Sequence, residues 1–347
     1  TIFFMGYIVL VFYKTDYIQE RVASLGVANP LSFVVALVGV QGLIEIIVGC
    51  AVGGVFQSPG ADDIYAVTKA VDRGMGVLYL IGNYTGDLMN FGIAAELAEM
   101  DGIKVRTLAG TDDAASAPLD EAALLALLDS AGPGLCRAKA AGAMADAGGS
   151  LDEVCRVAEK ANRNVHTVGV AASPCVIPEV GRPSFEIGEG EMEFGMGIHG
   201  EPGILRQPLR PVEEIVSDML ALILGEMDAA PGDEVSVLVN GLGATSLEEL
   251  YIAFRSVAAI LEDKGISIFS SYVGEFATSM EMSGFSLSLL KLDGELKELL
   301  RREEADPSYK GRRFLPLHGM LMEVTPEQYR DFYKARRRQK YLYERSR

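Results

Sequence analysis

Cysteine and histidine are both scarce in this 347-residue chain. The four cysteines (Cys50, Cys136, Cys155 and Cys175) stand far apart, with no CxxC pair and no Cys/His group at metal-ligand spacing. That excludes a zinc module and a disulfide framework, and no metal site is expected. Few, dispersed thiols predict a protein of the reducing cytoplasm. Histidine occurs only at 166, 199 and 318, so imidazole chemistry has few candidates. The GxxxxGKS/T phosphate loop, the HExxH zinc helix and the GxSxG nucleophile elbow are all missing, which removes three common enzyme classes. Positive charge is in deficit as well: 31 Lys+Arg stand against 48 Asp+Glu, a net of −17. Such a chain is not expected to bind nucleic acid, whose phosphates reward Lys and Arg.

The deficit is uneven. Residues 297–347 hold 14 basic and 8 acidic side chains, a net of +6, which leaves −23 for residues 1–296. The stretch RDFYKARRRQKYLYERSR (330–347) reads as a solvated helical appendage rather than a nucleic-acid contact.

Two apolar stretches open the chain, Thr1–Tyr13 and Leu31–Phe56, the second interrupted by Gln41 and Glu45. No basic segment precedes the first and no small-residue cleavage site follows it, so a signal peptide is not expected. Glycine and β-branched residues in the second suit buried strands of a parallel sheet better than a bilayer span, and no membrane segment is expected.

At about 150 residues per domain the length predicts two domains. Helical periodicity covers 61–73, 88–100, 119–130, 135–147, 151–162, 211–227 and 246–264. Strand-like runs cover 76–81, 103–108, 165–171, 234–239, 266–273 and 284–292. This alternation predicts an α/β protein of two α/β domains, each with a mainly parallel or mixed sheet flanked by helices. The first takes residues 1–164, the second 165–296, and 297–347 is a basic appended tail.

Three loops could carry chemistry. Gly241-Leu-Gly243-Ala-Thr-Ser246 lies between a strand and a helix, as a dinucleotide loop would, but Ser246 stands at the third glycine position. It reads as a tight turn with Thr245 or Ser246 capping the helix. Gly82-Asn-Tyr-Thr-Gly-Asp87 also joins strand to helix; Asp87 is either a general base or, more simply, a helix N-cap. In Glu191-Met-Glu-Phe-Gly195-Met-Gly197-Ile-His199-Gly200-Glu201-Pro-Gly203, glycines flank His199 and let backbone approach a small ligand. An imidazole so placed can be base, nucleophile or ligand, or a surface side chain without a role.

The strings NYTGD (83–87), SFEIGEGEMEFGMGIHGEPG (184–203), VNGLGATSLEELY (239–251) and TSMEMSGFSLSLLKLD (278–293) resemble, in this order, the dihydroxyacetone-binding K subunits of dihydroxyacetone kinases, over about residues 54–293. The resemblance implies that His199 attacks the ketone carbon and holds dihydroxyacetone as a hemiaminal, so that glycerol is refused by reactivity. It implies that Asp87 acts on the hydroxyl that receives phosphate, with Gly82 and Gly197 among the substrate-binding positions. It also implies a cytoplasmic homodimer without a cofactor of its own. The phosphate donor, ATP or ADP with Mg or a phosphotransferase relay, would sit on a separate L-type subunit, and the product would be glycerone phosphate.

Two departures accompany the resemblance. The family has Lys where Gly82 stands, and its GGGSGHEP loop has no counterpart in LVGVQGLIEIIVGCAVGG (37–54), upstream of SPGADDI (58–64). Loss of that loop's histidine predicts weakened acid–base help. The alternative expectation is therefore a non-catalytic coactivator that senses dihydroxyacetone, and a third is a non-functional fusion product.

Overall fold

A computed structural model describes residues 33–39, 47–53, 58–115, 134–177, 181–198, 203–304, 313–317 and 320–324; outside 58–304 only backbone is described. Contacts divide the chain into two units, Phe3–Leu300 and Arg301–Arg347 with Thr1 and Ile2. In the latter, Arg313–Leu317 pairs antiparallel with Met320–Val324.

The first sheet of the larger unit has the order β2-β1-β3-β4, with β1 Phe33–Gly39, β2 Ile47–Gly53, β3 Val77–Ile81 and β4 Val105–Ala109. The apolar run near the start does form strands, but not of a parallel sheet. β1 is antiparallel to both β2 and β3, and only β3 and β4 are parallel. The connection at 40–46 is too short for a parallel crossover, which needs a dozen or more residues.

β3 explains its own composition. All five of its residues are buried, because helices cover both faces. On one side, Val77, Tyr79 and Ile81 meet α1 (Ala61–Val71) and α2 (Thr85–Met100) through Ile64, Val71, Phe91, Ala94 and Ala98. The Tyr79 ring stands edge-on to Phe91 at 5.2 Å, and its hydroxyl lies 2.7 Å from Thr68 Oγ1, so the one polar atom there is satisfied. On the other side, Leu78 and Leu80 meet α3 (Leu135–Asp146) and α4 (Leu151–Asn164). Ala138, Ala141, Ala145 and Ala158 let these two helices lie close. The helix expected at 119–130 falls outside the described residues.

The second sheet is mixed and mainly antiparallel, in the order β11-β10-β12-β5-β8-β9. Its strands are β5 Val165–Ser173, β8 Glu191–Phe194, β9 Leu205–Pro208, β10 Glu234–Gly241, β11 Ser267–Gly274 and β12 Ser283–Leu292. The two-residue strands β6 (Val176–Ile177) and β7 (Arg182–Pro183) pair separately. Only β10 and β11, joined through a helix, are parallel. α5 (Val212–Glu226) and α6 (Leu247–Asp263) bury Ile215, Met219, Ile223, Leu250 and Val257 against Val168, Val237 and Leu287. α7 (Gly294–Glu304) follows β12 and packs Leu296 and Leu300 onto Ala140, Ala161, Val165 and Leu290, contacting the helices of the first sheet and strands of the second. Among the described residues no helix is long and apolar enough to cross a membrane.

Ser246 opens α6 with a capping box: its side chain accepts from Glu249 N, and Glu249 accepts from Ser246 N at 3.0 Å. Ser246→Ala is expected to cost about 1 kcal/mol of stability, read as a lower denaturation midpoint with an unchanged slope.

Candidate functional site

The loop that carries His199 joins the neighbouring strands β8 and β9. Its base is closed where Phe194 pairs with Leu205 and Ile204 N donates to Phe194 O at 2.9 Å. Just inside that base, Glu193 is buried and accepts from Arg206 Nε at 2.9 Å across the two strands. Gly195 to Ile198 are described; His199 itself and residues 200–202 lie outside the described residues.

What holds the described part is clear. Met196 and Ile198, on either side of Gly197, are buried in a cluster with Ala171, Cys175, Leu242, Met280 and Met282. Gly195 has φ +83° and donates its N–H to Gly169 O on β5 at 2.8 Å. A Cβ on Gly169 would stand 2.1 Å from Met196 O, so glycine is required there for the loop to lie on the strand. Gly169→Ala is therefore expected to displace the loop and to lower the melting temperature, with any ligand affinity of the loop falling at the same time. A calorimetric melt and a binding titration check this together.

The partners in that cluster come from two other strings singled out in the sequence. Leu242 belongs to GLGATS, Met280 and Met282 to TSMEMSG. The GLGATS segment is a structural turn, in line with the simpler reading of it. Gly243, at φ +121°, passes so close to the chain that a Cβ would sit 1.7 Å from Met280 O. Thr245 Oγ1 accepts from Gly284 N at 2.9 Å and donates to Gly284 O at 2.8 Å. The glycines serve chain-to-chain approach rather than a phosphate, and Ser246 is the cap.

Gly82 is buried and follows β3 directly. Asp87 is not the helix cap, contrary to the simpler expectation for it: α2 begins at Thr85 with Tyr84 as its N-cap, leaving Asp87 in the first turn. The helix starts earlier than its apolar periodicity because Thr85, Gly86 and Asp87 extend it by less than one turn without adding apolar residues. Burial pushes the Asp87 carboxyl above the ordinary aspartate range, and a hydrogen bond from Ser58 pulls it partly back. Ser58 belongs to SPGADDI, which folds onto this helix end; Asn90 Nδ2 donates to Pro59 O at 2.7 Å, and a Cβ on Gly86 would lie 2.6 Å from Ser58 Oγ. A half-buried carboxylate of raised affinity for protons suits a general base.

Other groups are chemically quiet. Burial pushes the Cys136 thiol up to about 12 and the Cys155 thiol to about 11, so neither is a nucleophile at neutral pH. Among the described residues no group of three His, Cys, Asp or Glu is placed to hold a metal.

The Dak1 domain family matches residues 36–308, extending at both ends beyond the 54–293 of the sequence resemblance. A dihydroxyacetone-binding subunit DhaK of a PTS-dependent dihydroxyacetone kinase from Listeria innocua is 45% identical over 259 residues, 75% of this chain and 77% of that protein. An L-erythrulose kinase from Pectobacterium atrosepticum is 39% identical over 79% of this chain, which spans only 46% of that longer enzyme. Among solved structures, a dihydroxyacetone kinase operon co-activator, DhaQ, superimposes with a TM-score of 0.66 at 32% identity, covering 71% of this chain and 76% of that one. With the Dak1 match running through both sheets and every string that builds the loop, the chain belongs to the Dak1 domain family of DhaK-type subunits.

Proposed function

We propose that this chain is the dihydroxyacetone-binding subunit of a dihydroxyacetone kinase. The observation that carries the reading is the convergence of GMGI, GLGATS and TSMEMSG on one buried cluster that includes Ile198, the residue before His199, in a chain 45% identical to a DhaK subunit. His199 adds its unprotonated ring nitrogen to the carbonyl carbon as the C=O π bond breaks. The other ring nitrogen gives up its N–H proton and the carbonyl oxygen takes one up, directly or through water, to become the hydroxyl of a neutral hemiaminal. Only a carbonyl compound can do this, so the site selects ketones over polyols by bond formation. Asp87 takes the proton from the terminal hydroxyl as that oxygen attacks the phosphoryl group. The erythrulose kinase relative supports hydroxymethyl ketones as the wider substrate class.

The donor comes on an L-type partner subunit, and this chain keeps no cofactor of its own. The PTS-dependent relative supports a phosphotransferase relay over a soluble nucleotide pool. Partner docking must then supply the orientation that an acidic surface cannot, and a homodimer in the cytoplasm is the form we assign. A second reading, a ketone-sensing coactivator without turnover, is supported by the co-activator structure.

A coupled assay with an added L-type subunit and its donor tests the proposal. Formation of glycerone phosphate from dihydroxyacetone by wild type supports the kinase. Ketone binding without turnover turns the assignment to the sensor, and absence of both overturns each.

A further inference from the structure

The two groups assigned to chemistry belong to different sheets: Asp87 follows β3 of the first, and His199 lies between β8 and β9 of the second. Something must hold these two rims at a set spacing. The segment 110–115, which leaves β4 and crosses to β5, touches both. At one end Gly110 N donates to Ile81 O at 3.0 Å, at the root of the loop leading to Asp87. At the other end Ala115 is buried, and a Cβ on Gly195, at the root of the His199 loop, would meet Ala115 Cβ at 3.0 Å.

Between these ends the segment is clamped by buried polar groups. Asp112 and Arg137 are each 2% exposed, with Arg137 Nη1 3.2 Å from Asp112 Oδ1. The same Nη1 donates to Asn162 Oδ1 at 2.8 Å, and Asn162 Nδ2 returns to Ala109 O and Thr111 Oγ1 at 3.2 and 2.9 Å. On the second sheet, Thr167 N donates to Asp112 O at 2.6 Å, its Oγ1 donates to Asp112 Oδ2 at 2.8 Å, and Ala114 N donates to Thr167 O at 2.9 Å. Ser288 Oγ lies 2.7 Å from the same hydroxyl.

A buried ion pair is a poor way to gain stability, since desolvation consumes most of the attraction. Its directional bonds do fix geometry, and here they fix a strap against both sheets at once. Gly110 shows how little slack remains: a Cβ there would stand 2.3 Å from Arg137 Nη1.

We propose that Asp112 and Arg137 are positioning residues, and that the strap 110–115 they clamp sets the distance between Asp87 and the ketone held on His199. The proposal rests on the functional reading above. It separates two events. Holding the ketone rests chiefly on the bond to His199 and on its loop, whose floor is the Met196–Ile198 cluster; proton removal needs both rims in register.

The test uses the full chain with its L-type partner, measuring ketone affinity by calorimetry and turnover by the coupled assay. Gly110→Ala retains every charge and crowds the guanidinium; Thr167→Val deletes one strap bond; Arg137→Lys keeps the charge without the fork. In each, kcat is expected to fall ~10²-fold, the size expected of an ångström-scale misplacement, with ketone affinity within about twofold of wild type. Thr167→Ser, which keeps the hydroxyl, is expected to retain wild-type kcat. If Arg137→Lys does not fold, the two uncharged substitutions decide. Unchanged kcat in the folded variants overturns the proposal, as does a parallel loss of affinity, kcat and melting temperature in all of them. A wild-type chain that binds no ketone overturns the functional reading instead, so the two failures are distinct.

Discussion

His199→Ala is expected to abolish phosphorylation of dihydroxyacetone while leaving the fold unchanged. The described part of the loop is seated by Met196 and Ile198, which are buried, together with the Gly195–Gly169 hydrogen bond, and these contacts are made between residues other than His199. The unfolding free energy should therefore change by no more than roughly 0.5 kcal/mol. Ligand retention should not. A small ketone with a few polar atoms has little surface to bury, and in the proposed mechanism the covalent bond to a ring nitrogen supplies most of its hold. Neither water nor a neighbouring carboxylate can replace that bond. Turnover is expected to drop by more than ~10⁴-fold, beyond the usual loss of a single acid–base group, because both holding and orientation disappear. The coupled assay reads the loss of turnover, and calorimetric titration with dihydroxyacetone reads the loss of binding. A variant that kept ketone affinity would show that the hold is non-covalent, and His199 would lose its assigned role.

Much of this architecture was legible in the residues, for physical reasons that differ between elements. β3 could be read because five consecutive apolar residues with no polar break demand cover on both faces, and the helices supply it. α4 and α6 could be read because Ser150 and Ser246 each open a capping box with Glu three residues later. Sheet direction was not legible for β1, β2 and β12. Pairing partners depend on connection length and on which edge is free, and apolar content carries neither. β8 and β9 were hidden inside a Pro- and Gly-rich stretch, since four residues are too few for a period to show.

The site divides in the same way. The His199 loop and Asp87 stood out through glycines and a strand-to-helix junction. Ser58 did not: a serine beside a proline and a glycine reads as a turn, and its bond to Asp87 exists only once the segment folds back across α2. Asp112, Arg137 and Thr167 were equally silent. Each looks like an ordinary surface-type residue in its own window, and burial of the three comes from two sheets meeting over 110–115. Family resemblance could rank the motifs, but these contacts are properties of the assembled chain.

Asp87→Asn is expected to reduce kcat by ~10²–10⁴-fold with little change in ketone affinity, because it removes the proposed proton acceptor without touching the loop proposed to hold the ketone. The pH dependence gives this substitution a second signature. Burial raises the proton affinity of the Asp87 carboxyl in the folded chain, and the Ser58 hydrogen bond works against that rise. A base must be ionised to act, so the acidic limb of the kcat profile should lie above the ordinary aspartate value of about 3.9. Ser58→Ala withdraws the bond that favours the charged form, and the limb should move to still higher pH. Stability runs the other way. A carboxyl whose folded affinity for protons is raised contributes stability below its unfolded value, and that contribution is lost as pH rises through the folded value. At neutral pH the half-buried charge is therefore a cost, and Asp87→Asn should melt at a higher temperature than wild type. The gap should close as the solution is acidified and wild-type Asp87 takes up its proton. Melting curves at neutral and mildly acidic pH, set beside the kcat profile, test one carboxyl from both sides. A variant that lost turnover but gained no stability at neutral pH would mean that Asp87 is not held in a desolvated environment, and the base would have to be sought elsewhere on the rim.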